Sequence, residues 1–163
     1  MFGTQRILVP VDYTDVAAAA ASAAIQLAAF HKATLYVLHV NKEMDGDFRR
    51  KIVTAPSDHG VEESIAYHER NMKEFLEKEY VRAAEAGHVI EKANVEFIIA
   101  GGDWFETTMG IVEDEKIDLI VTGTHGPQGM RSWLFGTKSE QLVHKSDCSV
   151  FVVKPQGYPY LRD

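Results

Sequence analysis

The chain has 163 residues, one cysteine and a formal net charge of −7, with 45% apolar and 25% charged residues; this fits one ordinary globular domain with a sizeable core. The acidic balance argues against a general nucleic-acid binder, which would carry a basic face, although it leaves room for one small anion held by backbone groups. No apolar run reaches about 18 residues, the start MFGTQRILVPVD is too short in apolar residues for a secretory leader, and Cys148 has no internal disulfide partner, so the expectation is a cytoplasmic protein without a membrane span.

Arg6 to Val11 is short, apolar and bounded by polar residues, and reads as a buried parallel strand. Pro10 has no N–H to give a ladder, so it belongs near the strand's end, with Asp12 just beyond it. Thr14 is a candidate N-cap with Asp15 in the first turn, and the alanine-rich run from Val16 to Phe30 is a helix whose small side chains can lie close to a sheet. Thr34 to Val40 (TLYVLHV) is β-branched, aromatic and apolar, a second strand. Its His39 turns outward or sits in a hydrogen bond. Asn41 to Gly60 reads as a long polar connection, with Arg49, Arg50 and Lys51 as a solvated basic cluster.

From Glu62 to Gly87 the apolar residues Ile65, Met72, Phe75, Leu76, Tyr80 and Ala83 recur at helical spacing, with the charges on a wet face and Gly87 as the stop. Asn94 to Ala100 is a third strand. Gly101-Gly102-Asp103 is a tight turn whose aspartate can cap a helix from Trp104 to Glu115; Trp104 reads first as a core residue and second as a cover over the nearby loop. Asp118 to Thr122 is a fourth strand, Thr137 to Lys145 a last helix, Ser149 to Lys154 a fifth strand, and Pro155 to Asp163 a tail rich in Tyr and Pro.

Strands and helices alternate, which predicts a single-domain α/β fold: an open parallel five-stranded sheet, order 3-2-1-4-5, with helices on both faces. That order puts the first and fourth strands side by side and sends their following helices to opposite faces, creating the switch point where such sheets bind ligands. Asp12 ends the first strand there. The stretch GTHGPQGMRSWLFGTKS, from Gly123 to Ser139, follows the fourth. Its glycines permit positive φ and close approach to bare N–H groups, and Thr137 stands where the last helix begins, at the positive end of its dipole. Together these suit a phosphate, and Asp12 can accept from donors elsewhere on the ligand. A nucleotide has both parts. Neither G-x-x-x-x-G-K-[ST] nor a G-x-G-x-x-G after the first strand is present, so the P-loop and dinucleotide mechanisms are unsupported.

The spacing Gly123-x2-Gly126-x9-Gly136-Thr137 matches the nucleotide motif of the ATP-binding branch of the universal stress protein family, G-x2-G-x9-G-[S/T]. The chain resembles that family from about Arg6 to Lys154, through ILVPVDYTDVAAAA, LYVLHV, the AGGD turn and DLIVTGTHGPQGMRSWLFGTKSEQLVHKSDCSVFVVK. The resemblance implies an adenine nucleotide (ATP, ADP or AMP). Pro10, Val11, Asp12 and Val40 would hold adenine and ribose. Thr122, Gly123, His125, Gly126 and Gly129 would hold ribose and phosphates, and Gly136, Thr137, Lys138 and Ser139 the outer phosphates. Mg²⁺ would ride on the phosphates rather than in a protein cage. The family also commonly pairs through its last strand, which implies a homodimer joined by Ser149 to Val153, an apolar strand at a sheet edge. The chain departs from the family in its third turn, where Trp104 follows Gly102-Asp103 and a proline is common.

No catalytic residue is assigned. Three readings stay open: a nucleotide-binding stress or signalling module, a slow ATPase or phosphotransferase, and a nucleotide-free protein-interaction module. Turnover needs a group that orients water in line with the γ-phosphate. His125, Asp12 and Asp103 are the nearby candidates, and none has a triad-like partner in sequence.

Overall fold

A computed structural model describes residues 3–44, 49–51, 61–87, 94–124 and 138–154. The elements run β1 (Arg6–Pro10), α1 (Asp15–His31), β2 (Thr34–Asn41), β3 (Arg49–Lys51), α2 (Val61–Glu85), β4 (Val95–Gly101), α3 (Trp104–Asp114), β5 (Leu119–Gly123), α4 (Lys138–Lys145) and β6 (Ser149–Val153). They form one sheet in the order β3-β4-β2-β1-β5-β6.

The five longer strands are parallel and stand in the expected order 3-2-1-4-5. β3 is an addition: it pairs antiparallel with β4, Arg50 opposite Ile99. It lies inside the stretch read from sequence as an irregular polar connection. Three charged residues carry neither the alternation nor the β-branched side chains that mark a strand, and only the open edge of β4 makes one of them.

β1 sits at the centre, and Ile7, Leu8 and Val9 are fully buried because both faces of the sheet are covered. The two-residue period sorts them. Ile7 and Val9, with Leu35, Val37 and Ile99, face α1 and α2; Leu8, with Tyr36, Leu38 and Ile98, faces α3 and α4 through Ile111, Val112 and Leu142. Each buried aliphatic side chain contributes about 1.5–3 kcal/mol.

Thr14 caps α1 by accepting from the Ala17 N–H, and Lys32 ends it in the left-handed conformation. Ala20, Ala21 and Ala24 are wholly buried against the sheet, so the helix backbone lies close to it. α2 packs beside α1 through Met72, Leu76 and Ala83, and Gly87 at φ +84° follows its last turn. One charge departs from the expected wet face. Glu79, seven residues after Met72, is 3% exposed and accepts from Arg82 at 2.7 Å. Burial raises its pKa, while Arg82 acts in the opposite direction.

The amino ends of β1 and β5 are tied together. Asp118 Oδ2 accepts from the Gln5 and Arg6 N–H groups at 2.7 and 3.1 Å. Arg6 Nη1 donates to the Glu115 carbonyl, and the Asp118 N–H to the Arg6 carbonyl. At the far edge, Phe151 and Val152 on β6 are 47% and 37% exposed.

The tight seat of α1 has a measurable consequence. Ala24→Leu should overpack the layer between helix and sheet and lower unfolding free energy by about 1–3 kcal/mol in chemical denaturation. An unchanged midpoint would show that α1 can stand off from the sheet.

Candidate functional site

The carboxyl ends of β1 and β5 open into a cleft of about 320 Å³. β1 stops at Pro10, and the Val11 N–H then donates to the Leu38 carbonyl at 2.8 Å. Beyond it, Asp12 Oδ1 accepts from the Thr14 hydroxyl at 2.6 Å and from the Thr14 N–H at 3.2 Å. The Thr14 hydroxyl oxygen in turn accepts from the Ala17 N–H at 3.2 Å. This chain of bonds fixes the aspartate at the mouth of the cleft and starts α1 in one stroke.

Pro10, Val11, Asp12 and Thr14 form one wall, continued by Val16 and Ala17 of α1. Thr122 and Gly123 of β5 form the floor beside them, and Trp104, Lys138 and Ser139 close the other side. Three helices, α1, α3 and α4, therefore begin at this one cleft, with their positive ends toward it. Asp103 caps α3 by accepting from the Phe105 and Glu106 N–H groups at 2.9 and 3.0 Å. Lys138 at the start of α4 lays its ammonium over the Trp104 ring, 4.9 Å from its centre. Ser139 is buried. The cleft thus combines a carboxylate acceptor, an exposed cation and three helix dipoles, the equipment to hold a ligand with one anionic end and one donor end.

Gly123 has a reason of its own. A Cβ there would stand 2.4 Å from Val16 Cγ1 and 2.7 Å from the Val16 carbonyl oxygen. The close approach of α1 is by itself a sufficient reason for glycine here, independent of any part its amide plays toward a ligand.

A group of rings lies behind the Val11–Asp12 wall. His39 Nδ1 is 3.0 Å from the Val11 carbonyl oxygen, its ring 4.7 Å from Tyr13 and 4.9 Å, stacked, from His68 of α2. Asn41 Nδ2 lies 3.0 Å from His68 Nε2. The Tyr13 hydroxyl donates to the His68 carbonyl at 3.4 Å, and Phe75 meets the Tyr13 ring edge-on. Tyr13 has φ +63°, a left-handed conformation that costs a non-glycine residue about 1–2 kcal/mol and persists where its surroundings hold it. Burial lowers the pKa of both imidazoles and raises that of the Tyr13 phenol.

Of the residues named from sequence, Pro10, Val11, Asp12, Thr122, Gly123, Lys138 and Ser139 come together at the cleft. Val40 does not line it; its side chain packs with the core layer of Leu38, Ile98 and Ala100. His125, Gly126, Gly129, Gly136 and Thr137 lie outside the described residues. Thr14, Val16, Ala17 and Trp104 line the cleft without having been named for it. The first three were read as the start of a helix, which they are. For Trp104 the sequence offers core first and a cover over the nearby loop second. The residue touches the core layer and the cleft together, and its place in a helix's first turn beyond a strand's carboxyl end was the available signal.

The universal stress protein family profile matches residues 3–154, and the chain belongs to that family. It is 28% identical over 151 residues to universal stress protein YxiE of Bacillus subtilis, covering 91% of this chain and 98% of that one. It is likewise 28% identical over 156 residues to universal stress protein MJ0577 of Methanocaldococcus jannaschii, with 92% and 94% covered. Among solved structures, a universal stress protein in complex with cAMP superposes with a TM-score of 0.65 at 18% identity, covering 93% of this chain and 98% of that one. The MJ0577 structure superposes with a TM-score of 0.59 at 24% identity, covering 95% and 99%. At these identities the superpositions establish the shared fold.

The contact between Val16 and Gly123 can be tested directly. Gly123→Ala should destabilise the fold by about 1–3 kcal/mol in denaturant titration, because the obstructing atoms include backbone. A neutral result would mean that α1 shifts freely at its first turn.

Proposed function

We propose that the cleft binds an adenine nucleotide, with ATP as the principal ligand, and that the protein works as a nucleotide-binding module in a stress response or in signalling. The observation that carries this reading is the meeting of Asp12, at the end of one central strand, with Thr122-Gly123 at the end of its neighbour, in a cleft onto which three helices direct their positive ends. Its volume, about 320 Å³, suits a small ligand.

In this reading Asp12 accepts from ribose hydroxyls, and Pro10 and Val11 supply the apolar surface beside the base. Lys138 and the first turn of α4 receive phosphate charge, and the sequence motif assigns Gly126, Gly136 and Thr137 to phosphate binding as well. Mg²⁺ would be held by the phosphate oxygens and neutralise them; the described residues hold no cluster of three or more His, Cys, Asp or Glu side chains suited to a metal. The bound nucleotide would brace the starts of α1, α3 and α4 and so alter the surface offered to a partner protein. Half-exposed Phe151 and Val152 on the open edge of β6 support pairing of two copies through that strand.

ATP with Mg²⁺ should raise the melting temperature. A concentration of about 100 times Kd adds about 2.7 kcal/mol to stability. Asp12→Ala should weaken binding about tenfold or more, as loss of a charged hydrogen-bond acceptor, and Gly126→Val or Gly136→Val should abolish it with the fold intact. Calorimetry showing no ATP binding to the wild type, or wild-type affinity in all three variants, would overturn the assignment. Phosphate release measured on the same samples separates a binding module from an ATPase: sustained turnover would favour the enzyme.

Pairing has its own check. Val152→Arg should shift the sedimentation coefficient from that of a dimer to that of a monomer, whereas a wild type that sediments as a monomer would remove β6 as the joining surface.

A further inference from the structure

The rings behind the cleft wall are arranged so that one proton would disrupt them. The carbonyl of Val11 can only accept, so His39 Nδ1 carries the proton and donates to it. Asn41 Oδ1 accepts from the Glu43 N–H at 2.9 Å, which fixes the orientation of that amide and makes Asn41 Nδ2 a donor. His68 Nε2 must therefore accept, and the neutral His68 ring bears its proton on Nδ1, a buried atom with no partner among the described residues. Protonating His68 turns Nε2 into a second donor aimed at the Asn41 N–H. The hydrogen bond is lost, and a cation is left stacked on His39.

We propose that the Tyr13–His39–His68 stack is a proton-operated latch: protonation of His68 releases α2 from the turn at Val11–Tyr13, which loosens the Asp12 wall and weakens nucleotide binding. The effect on binding rests on the nucleotide reading above; the release itself does not.

The connections are short. His39 holds Val11, which lines the cleft, and Tyr13 follows Asp12 directly. Tyr13 keeps its left-handed backbone while wedged between His39 and Phe75 with its hydroxyl on the His68 carbonyl. When α2 lets go, the two restraints it supplies, the Phe75 ring and the His68 carbonyl, weaken together and leave Tyr13 with the His39 contact from β2. Among the described residues, the titratable groups facing the two imidazoles are Asp12 and Tyr13 from the turn and Tyr67 from α2. The Asp12 charge favours a cation on His39, but burial opposes it more strongly. The sign follows. Both imidazoles have pKa values depressed in the folded protein, so the stabilisation they give is complete above the ordinary imidazole value of about 6.5 and is lost as pH falls from there through their lower folded values.

The test compares the full-length wild type with His68→Phe, which keeps an aromatic ring but cannot titrate, and with Asn41→Asp, whose carboxylate would accept from a protonated His68. The ring-proton resonances of Tyr13, displaced by its stacked neighbours, report the latch without any ligand. Calorimetric ATP affinity reports the cleft, and comparison between proteins at each pH cancels protonation of the nucleotide itself. As pH falls from about 7.5 to about 5.5, the wild-type Tyr13 resonances should collapse toward unstacked values and its affinity should drop about tenfold relative to His68→Phe. Asn41→Asp should hold the stack to lower pH. Tyr13 resonances that follow one pH course in wild type and Asn41→Asp would overturn the latch, and should either variant misfold, the wild-type pair of readouts still decides: resonances unchanged over that range end the proposal. ATP affinities with one pH course in all three proteins would overturn the link to binding. If no protein binds ATP at about pH 7.5 while the Tyr13 response still depends on His68, the latch stands and the nucleotide reading falls.

Discussion

The arrangement of this protein depends on how near one helix can come to one strand. Val16, in the first turn of α1, sits where any side chain on residue 123 would have to be. The alanines that follow let the rest of the helix lie equally close, and Ala20, Ala21 and Ala24 are sealed from water. That seat brings the starts of α1, α3 and α4 around one opening and puts the bonded triplet Asp12, Thr14 and Ala17 on its rim. A bulkier helix would push the rim outward and separate the groups that the cleft needs together.

The fold was legible because its signals are local and repeated. Short apolar runs such as Ile7–Val9 alternate with helical ones, and once the crossover rule is applied few strand orders survive. Caps were legible for the same reason: Thr14 and Asp103 stand just ahead of good helix formers, and both accept from first-turn amides. β3 was not legible. Its residues have no strand character, and its pairing depends on an edge supplied by β4, which comes much later in the chain. Nor was the burial of Glu79, since a charge in a mixed helical face carries no mark of what stands opposite it.

The candidate site divides along similar lines. Asp12, Thr122 and Gly123 were identifiable because topology alone sends the ends of two central strands to one place. Trp104 and the wall of α1 were harder to place, because a residue that packs on the core with one edge and faces an opening with the other carries a core signature, and only its position beyond a strand's carboxyl end hints at the second role. The stacking of His39 on His68 joins β2 to a helix far along the chain, and no spacing rule foretells it. Glycine chemistry also needed the third dimension: at Gly123 the missing side chain makes room for the protein itself.

The clamp at the opposite end of the sheet has a mechanical meaning. Asp118 and Arg6 tie the amino ends of β1 and β5 by several bonds, whereas the carboxyl ends diverge around the cleft with no such lashing between Pro10 and Thr122 among the described residues. Each tip is held instead by its outer neighbour, Pro10 paired with Leu38 and Gly123 with Val153. The opening is a split in the sheet secured from both outer sides, and it needs no bond across it to persist.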